Sequence, residues 1–529
     1  MTDIDTADDL VDWNCEGAEQ ALLDGKPDNG AYVFSGEGDK KNNIIRGSFI
    51  AALARGRLCI DNTRISAPHQ IVVGDAYISG KIDLSDCTCA MSLWIINSDF
   101  EKSPDFERAS LQSLNFSNSS LPGANFEDLT LKGNLTLNNI ISTEALNFYR
   151  SILGGQLNIN DAELSASNGQ AIKAQSIQVK DGVFLDRSTI KGSIIIDSAH
   201  IGGQFNANNA TIMAKSGGAI RAQGARIDGG FFLDGSEITG MVQINTIEIG
   251  GQFSANHATL TSKSEKVLNA QDARIKGSVF LNNSKVTGTV DFNSATIGGQ
   301  LNANNATLAS EFGRAVNAQG AAINGSVLLN GSKIKGEVSF NSSKVAGQFG
   351  AKKSEFQNDS GASFNLHSSV ISGGIFWMSS EFKGLVSLNK ANIGVQLDAT
   401  DVKFFAKTGP AILAQYITID GAVFLEGAVA TGEMNFHAAK IRGTMFANKA
   451  GPTIRSIGGD ALVLTSARIE GNLNLHHMPH PYFGNINLEN THCKKINWSD
   501  KSFPSDALRL DGFTYDVVGY PETLNRPKP

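Results

Sequence analysis

A unit of about 48 residues repeats along most of this chain, and it constrains the fold more than any other feature. One copy begins at Ile201 with the letters IGGQFNAN. The same phase returns at equal steps at Leu153, Ile249, Ile297, Val345, Ile393 and Ile441. Self-similarity at a fixed period of this length is typical of solenoids, in which each unit stacks on the one before it. The repeat therefore predicts a stacked, elongated architecture.

The spacing inside a unit indicates two turns of chain. Apolar residues recur at steps of 11 and 15, as at Leu260, Ile275 and Val286, so that a unit divides into turns of about 22 and about 26 residues. Short apolar segments such as 278–281 (SVFL) are bounded by Gly, Asn or Ser, and helical spacing is missing. The pattern predicts an all-β, right-handed parallel β-solenoid of about 18 coils.

Residues one unit apart share a chemical type, which predicts columns of like side chains along the solenoid. One apolar file, read as part of the structural ladder, contains Phe184, Phe232, Phe280, Leu328, Phe376 and Phe424; a second contains Leu185, Leu233, Leu281, Leu329, Trp377 and Leu425. A polar file contains Gln156, Gln204, Gln252, Gln300, Gln348 and Gln396. We expect these glutamines to be structural, with stacked amides that bond to the coils above and below.

Four segments follow from where the repeat begins and decays. Residues 1–56 are expected to form a helical N-terminal cap, with one helix from Thr6 to Gly25 and another over 44–55. A cap of this kind covers the unpaired backbone groups of the first coil. A rival interpretation of 44–55 is an amphipathic membrane anchor. We then expect irregular pentapeptide-like coils over 57–152, regular coils over 153–488, and a terminal coil with a C-terminal tail over 489–529.

Composition and charge favour no nucleic-acid groove and no DNA mimic. The 529 residues include 45 basic and 52 acidic side chains, which is a nearly neutral balance. Five scattered cysteines do not indicate a disulfide framework, and we expect Cys87 and Cys89 to be neighbouring thiols rather than a bonded pair. The acidic N-terminus lacks an export signal, so the expected location is cytoplasmic, with membrane contact at most peripheral.

Candidate chemistry is sparse. His476, His477 and His480 are the weak candidates for a metal site, and the prolines beside them favour an exposed loop instead. Asp186 and Asp234 recur at a coil corner where other copies carry Asn, which indicates turn chemistry rather than catalysis. We therefore predict no catalytic residue, no cofactor and no bound metal.

Several phrases resemble a known bacterial group. They are residues 44–65 (IIRGSFIAALARGRLCIDNTRI), ISGKIDLSDCT from Ile78, the repeated IGGQLNANNATL and the late LRLDGFTYD. They look like bacterial repeat proteins often labelled membrane-associated oxidoreductase, which are relatives of the pentapeptide-repeat group, over nearly the whole chain. The resemblance implies a β-solenoid fold. Longer members continue after the GFTYD phrase into further helices and membrane spans, and no cofactor motif accompanies the oxidoreductase label in these residues.

Three functional hypotheses follow. The leading one is a non-enzymatic scaffold or protein-binding solenoid, whose partner is another protein or a second copy of itself. The second is a carbohydrate-active or redox enzyme that uses one solenoid face, for which a groove of clustered titratable groups would be the sign. The third, suggested by the resemblance, is mimicry of DNA toward a topoisomerase, for which a continuous acidic stripe would be the sign.

Overall fold

The described residues confirm the predicted fold class. A computed structural model describes residues 11–15, 17–25, 30–61, 63–447, 453–475, 483–498 and 508–519. These residues form a parallel β-solenoid of about 19 turns, with two short α-helices near its start. The chain divides into two compact units, residues 1–254 and residues 255–529.

In most of the regular coils one face, the short-strand face, is made of two brief strands, and the other, the long-strand face, is made of one longer strand. In the first unit, Gln178–Val179 and Val183–Phe184 lie on the short-strand face, and Thr189–Ile195 lies on the long-strand face. Gln178 pairs with Ile152 of the coil before and with His200 of the coil after. The sequence separation between Ile152 and Gln178 equals the longer turn predicted from the sequence, and that between Gln178 and His200 equals the shorter one. Both turn lengths are therefore confirmed.

The short-strand face repeats with little change. Its strands in the first unit are Ala31–Ser35, Gln70–Gly74, Ser92–Ile96, Ser110–Leu111, Ser113–Asn115, Thr130–Leu131, Leu135–Thr136, Ile152–Leu153, Leu157–Asn158, Gln178–Val179, Val183–Phe184, His200–Ile201, Phe205–Asn206, Arg226–Ile227, Phe231–Phe232, Glu248–Ile249 and Phe253–Ser254. Those of the second unit include Arg274–Ile275, Val279–Phe280, Thr296–Ile297, Leu301–Asn302, Ala322–Ile323, Val327–Leu328, Lys344–Val345, Phe349–Gly350, Val370–Ile371, Ile375–Phe376, Asn392–Ile393, Leu397–Asp398, Thr418–Ile419, Val423–Phe424, Lys440–Ile441, Met445–Phe446 and Arg468–Asn474.

The long-strand face alternates between strands of two lengths. Seven-residue strands belong to the shorter coils: Thr189–Ile195, Glu237–Gln243, Lys285–Asp291, Lys333–Ser339 and Glu381–Ser387. Eleven-residue strands belong mainly to the longer coils: Glu163–Lys173, Thr211–Arg221, Thr259–Asn269, Thr307–Asn317, Glu355–Asn365 and Thr453–Val463. In the first unit the pairing register jumps from Ser165 with Lys191 to Gln170 with Ser193. The extra residues therefore leave the ladder as a loop and then return to it.

The core follows from strand alternation and from the corners. Val183 and Leu185 are buried, as are Ile190 and Ile194, because alternate side chains of a strand face the same side. Each coil then turns through residues with left-handed backbone angles, such as Arg187 with φ 58° and Ser198 with φ 56°. Such angles are uncommon outside glycine. Their return at every corner shows that the coil geometry requires them.

The N-terminal segment differs from the expected helical cap. Val11–Asp12 is a strand that pairs with Leu58–Cys59, so the first helix does not run from Thr6; it spans Ala18–Asp24 and ends, as predicted, at Gly25. The large parallel sheet of the solenoid already includes Ala31–Ser35, which bonds to Gln70–Gly74.

The second helix is shorter than predicted. Ile44–Arg46 is a strand that pairs with Tyr77–Ser79, and the helix itself spans Gly47–Ala54. Phe49 and Leu53 are fully buried against the rest of the protein. The apolar residues proposed for a membrane anchor are therefore used inside the fold.

The irregular and terminal coils keep the same plan. Ser110 pairs with Thr130 and Thr130 with Ile152, so the coils of the pentapeptide-like region have the shorter length or slightly less. At the other end, Thr514–Gly519 pairs with His492–Asn497. Part of the expected tail is therefore a further coil.

Candidate functional site

A row of Asn and Asp side chains bonds neighbouring coils at the corner that follows the short strands. In the first unit the Asp186 N–H donates to Asn160 Oδ1 at 2.9 Å, and the Asn208 N–H donates to Asp186 Oδ1 at 3.1 Å. The Asp234 N–H likewise donates to Asn208 Oδ1 at 2.7 Å. Only a side-chain oxygen that accepts is needed, so amide and carboxylate interchange freely. The sequence predicted turn chemistry for Asp186 and Asp234, whereas these bonds join neighbouring coils.

The same row is present in the second unit. Its members are Asn256, Asn282, Asn304, Asn330 and Lys352. From Asn282 onward, the backbone N–H of each member donates to the side-chain Oδ1 of the member one coil before, at 2.8 to 3.1 Å. Burial raises the pKa of the Asp186 carboxyl in the first unit, an effect that its accepted N–H bond opposes. A carboxylate at this corner is tolerated rather than required.

The six glutamines do not stack on one another. Leu157 pairs with Val183, and Val183 pairs with Phe205. The residues that precede these three strands are Gln156, Gly182 and Gln204. Gly182 therefore lies between the two glutamines. In the second unit Ser278 precedes Gln300 in the same way, and its hydroxyl accepts the Gln300 N–H at 3.1 Å. The repeat holds two coils, so residues one repeat apart are never direct neighbours. Bonding of polar side chains to neighbouring coils, which the sequence predicted for the glutamines, is found instead in the row of Asn and Asp at the coil corner.

The phenylalanine file lies on the outside of the solenoid. Phe184 is half-buried, whereas Val183 and Leu185 on either side of it are buried. The same holds for Phe232 in the first unit, and for Phe280, Phe376 and Phe424 in the second. The second file, with Leu185 and Trp377, is the one in the core. Period-2 alternation places residues 183 and 185 on one face and 184 on the other, but three consecutive apolar residues mask this signal in the sequence.

Coils with an outward-facing apolar side chain alternate with coils that carry amide side chains along the short-strand face, and buried glycines or half-buried serines fill the remaining positions; we call this the aromatic–amide stripe. In the first unit it contains Gly182, Phe184, Gln204, Asn206, Gly230 and Phe232. In the second unit it contains Ser278, Phe280, Gln300, Asn302, Ser326, Leu328, Gln348, Gly350, Gly374 and Phe376. Sequence reasoning found the Phe and Gln files of this stripe but not that they share one exposed face.

A neighbouring row on the same face carries mixed charge. In the first unit its exposed or half-buried positions are Gln178, His200, Arg226 and Glu248, which pair in succession. His200 Nε2 lies 3.1 Å from Asp228 Oδ2, and Arg226 Nε donates to the other oxygen of that carboxylate. The His200 and Arg226 contacts hold the pKa of Asp228 below its usual range. This row is not the acidic stripe of a DNA mimic.

The loops of the long-strand face enclose one cleft in the second unit. Residues 358–362 and 405–410 border a space of about 420 Å³, with Lys383 also lining it. Lys407 Nζ lies 2.8 Å from Asp359 Oδ1 and bridges the two loops, which lowers the pKa of Asp359. Lys383 is paired in turn with Glu381 at 2.8 Å. The Lys407–Asp359 pair thus holds one loop to the other, whereas Lys383 and Glu381 pair within the strand Glu381–Ser387.

A second cleft, of about 400 Å³, lies beside the N-terminal helices and is rich in arginine. Arg55 Nη2 donates to the Ser85 carbonyl at 2.9 Å, and Arg64 Nε donates to the Gly56 carbonyl at 3.0 Å. These side chains attach the N-terminal segment to the first coils. Cys87 and Cys89, which also line this cleft, form a disulfide with Cα atoms 5.9 Å apart. The expectation of unbonded thiols is wrong, because this separation lies within the range for a disulfide.

The weak metal candidates His476, His477 and His480 lie outside the described residues. Nearby, His492 Nδ1 is 3.0 Å from Thr514 Oγ1, and burial raises the pKa of the Cys493 thiol to about 11. Within the described ranges, no group of three His, Cys, Asp or Glu side chains is arranged to hold a metal ion.

The fold and this surface define the class of protein: a parallel β-solenoid with repeated outward-facing rows. None of the helices in the described ranges is long and apolar enough to span a membrane. No protein-family model, curated protein or solved structure matches the chain. The resemblance to the pentapeptide-repeat group therefore stays a prediction.

Proposed function

We propose that this protein is a non-enzymatic scaffold that holds another macromolecule through repeated contacts along its aromatic–amide stripe. The observation that carries the proposal is the alternation of half-buried apolar groups with amides on one exposed face. Repeated identical side chains on stacked coils form extended binding surfaces, and such surfaces suit an extended partner.

The charged groups support a structural role for the remaining faces. Arg187 Nε donates to Asp161 Oδ1 at 2.7 Å, and this contact lowers the pKa of Asp161. Arg150 and Asp128 form the same kind of bridge between coils. Inter-coil ion pairs account for these shifts, so the shifts need no catalytic explanation.

The experiment compares what the full chain captures from cells of its natural source. The bait proteins are the wild type, a double variant Phe280→Ser with Phe376→Ser, and the matched control Phe312→Ser. Phe312 is 54% exposed and lies on the long-strand face, in the strand Thr307–Asn317. We expect one macromolecule, enriched by the wild type and the control, to be lost with the double variant. Capture that is identical for all three proteins would refute the stripe as the binding surface.

Light scattering after size-exclusion chromatography tests whether the partner is a second copy. If the wild type forms a defined oligomer and the double variant elutes as a monomer, then the stripe joins copies of this chain. An oligomer that both proteins form uses another surface and would count against the proposal.

A further inference from the structure

The stripe has a fixed repeat in the second unit. Phe280 pairs with Asn302, and Asn302 pairs with Leu328, so apolar side chains recur at every second coil. The same alternation continues through Gly350 to Phe376. Neighbouring parallel strands are about 4.8 Å apart, so the apolar positions recur at about 10 Å. Phe184 and Phe232 repeat the arrangement within the first unit.

Amide groups flank each apolar position. Gln300 is half-buried and lies two residues before Asn302, and Gln348 is exposed and lies two residues before the buried Gly350. Within the part of the chain that the structure describes, neither side-chain amide has a hydrogen-bond partner. Each amide offers both donors and an acceptor to a ligand.

The stripe is uncharged between Ser278 and Gln348. The first charged groups on it lie at its Phe376 end, where Lys352 Nζ is 5.5 Å from the ring centroid and Asp398 follows in the next coil. A nucleic acid requires Lys and Arg for its phosphates, which this stretch does not present. Charge complementarity therefore selects an uncharged partner.

We infer that the stripe binds an extended, uncharged β-1,4-linked polysaccharide. A pyranose ring has an apolar C–H face that stacks on aromatic and aliphatic side chains, and its equatorial hydroxyls bond to amides. A β-1,4-linked chain turns over at each sugar, so it presents the same face at every second ring, a repeat close to that of two coils. Alternate sugars therefore pack on Phe280, Leu328 and Phe376, while Gln300 and Gln348 bond to the hydroxyls between them. The inference rests on the proposed function, since it names the partner of the same stripe.

The test measures binding of the full chain to defined glycans. Sedimentation with microcrystalline cellulose and calorimetry with cellohexaose provide the β-1,4 linkage, and dextran provides an uncharged glycan without that repeat. We expect binding to cellulose and cellohexaose, at least tenfold weaker binding to dextran, and at least a tenfold loss for Phe280→Ala with Phe376→Ala. Phe312→Ala is the matched control and should bind like the wild type.

A second variant guards against loss of folding. Gln348→Glu changes an exposed side chain by a single group and places a charge on the stripe, so it should fold and bind cellohexaose several-fold more weakly. Equal binding to dextran, unchanged binding by both stripe variants, or no binding to either β-1,4 glycan would overturn the inference. If a protein partner is still captured through the stripe in that last case, the proposed function survives and only the glycan assignment fails.

Discussion

The ring of Phe232 occupies the space that a side chain at Gly230 would need. A Cβ placed on Gly230 would lie 2.5 Å from Phe232 Cζ and 3.1 Å from the carbonyl oxygen of Gln252. Phe184 and Gly182 are related in the same way, with the ring 2.8 Å from the same hypothetical atom. Glycine in one column and phenylalanine two residues later are thus a coupled pair. Because glycine has no side chain, the outward-facing ring can lie directly over its backbone.

We expect Gly230→Ala to destabilise the coil by about 1–3 kcal/mol, because the added methyl overpacks against the ring. In a Phe232→Ala background the same substitution should cost much less, since the ring is gone and only the carbonyl contact remains. Chemical denaturation of the four proteins gives the coupling energy directly. Equal costs in both backgrounds would show that the ring does not rest on Gly230.

The coil period could be predicted from the sequence, but the direction of several side chains could not. Register follows from the constant step of the repeat, because each copy has the same internal spacing. The outward position of Phe184 was hidden by its apolar neighbours Val183 and Leu185, which made three consecutive residues look like core. Ile44–Arg46 looked helical because its apolar residues continue into the helix at Gly47. That segment is a strand because it pairs with Tyr77–Ser79 in the next coil. The local sequence pattern contains no information about such a partner.

Asp186→Asn should raise the midpoint of thermal unfolding slightly at neutral pH. The Asn side-chain oxygen still accepts the Asn208 N–H, and the half-buried charge is removed, so we expect a gain of no more than about 1 kcal/mol. Thermal unfolding followed by circular dichroism measures the difference. A clear loss of stability would mean that the carboxylate is required at this corner.

The sign of the pH dependence follows from the raised pKa of Asp186 in the folded protein. The folded state binds the proton more readily than the unfolded state, so this group destabilises the fold above its folded pKa, and the penalty fades as the pH falls. The advantage of Asp186→Asn should therefore shrink as the pH falls through the raised folded pKa, and it should be lost well below about pH 4, where the carboxyl is protonated in both states. An advantage that grows on acidification would contradict burial as the cause of the shift.

Glu19 should hold the first helix against the first coil. Its carboxylate accepts three bonds from Arg46, from the backbone N–H and from Nε at 2.9 Å and from Nη2 at 2.6 Å, and the residue is only 4% exposed. These bonds raise the pKa of the Arg46 guanidinium. We expect Glu19→Ala to cost about 1–3 kcal/mol, because the Arg46 N–H loses its acceptor.

Hydrogen exchange locates this effect of Glu19→Ala. Faster exchange should be confined to Ala18–Asp24 and Ile44–Arg46, with the regular coils unchanged. Gln20→Ala on the exposed side of the same helix is the matched control and should change exchange little, since its amide donates to the exposed Asp24 of the same helix. Equal effects of the two substitutions would assign the stability to helix propensity rather than to the ion pair.

Trp377 is the one tryptophan of the described residues that is completely buried, and it replaces the leucine found at this column in other copies. It packs against Phe364 and Phe382, with ring centroids 5.3 and 5.0 Å away, but its Nε1 has no hydrogen-bond partner. Trp377→Leu loses those ring contacts and also removes the unsatisfied donor, so the two effects oppose each other. We expect a cost below about 2 kcal/mol for Trp377→Leu and about 3–5 kcal/mol for Trp377→Ala, which leaves a cavity. Denaturation monitored by circular dichroism gives both costs, and loss of the most blue-shifted fluorescence in either variant identifies the buried indole. A cost for Trp377→Leu as large as that for Trp377→Ala would mean that neighbouring rings cannot close around leucine, and that this coil is built specifically for the indole.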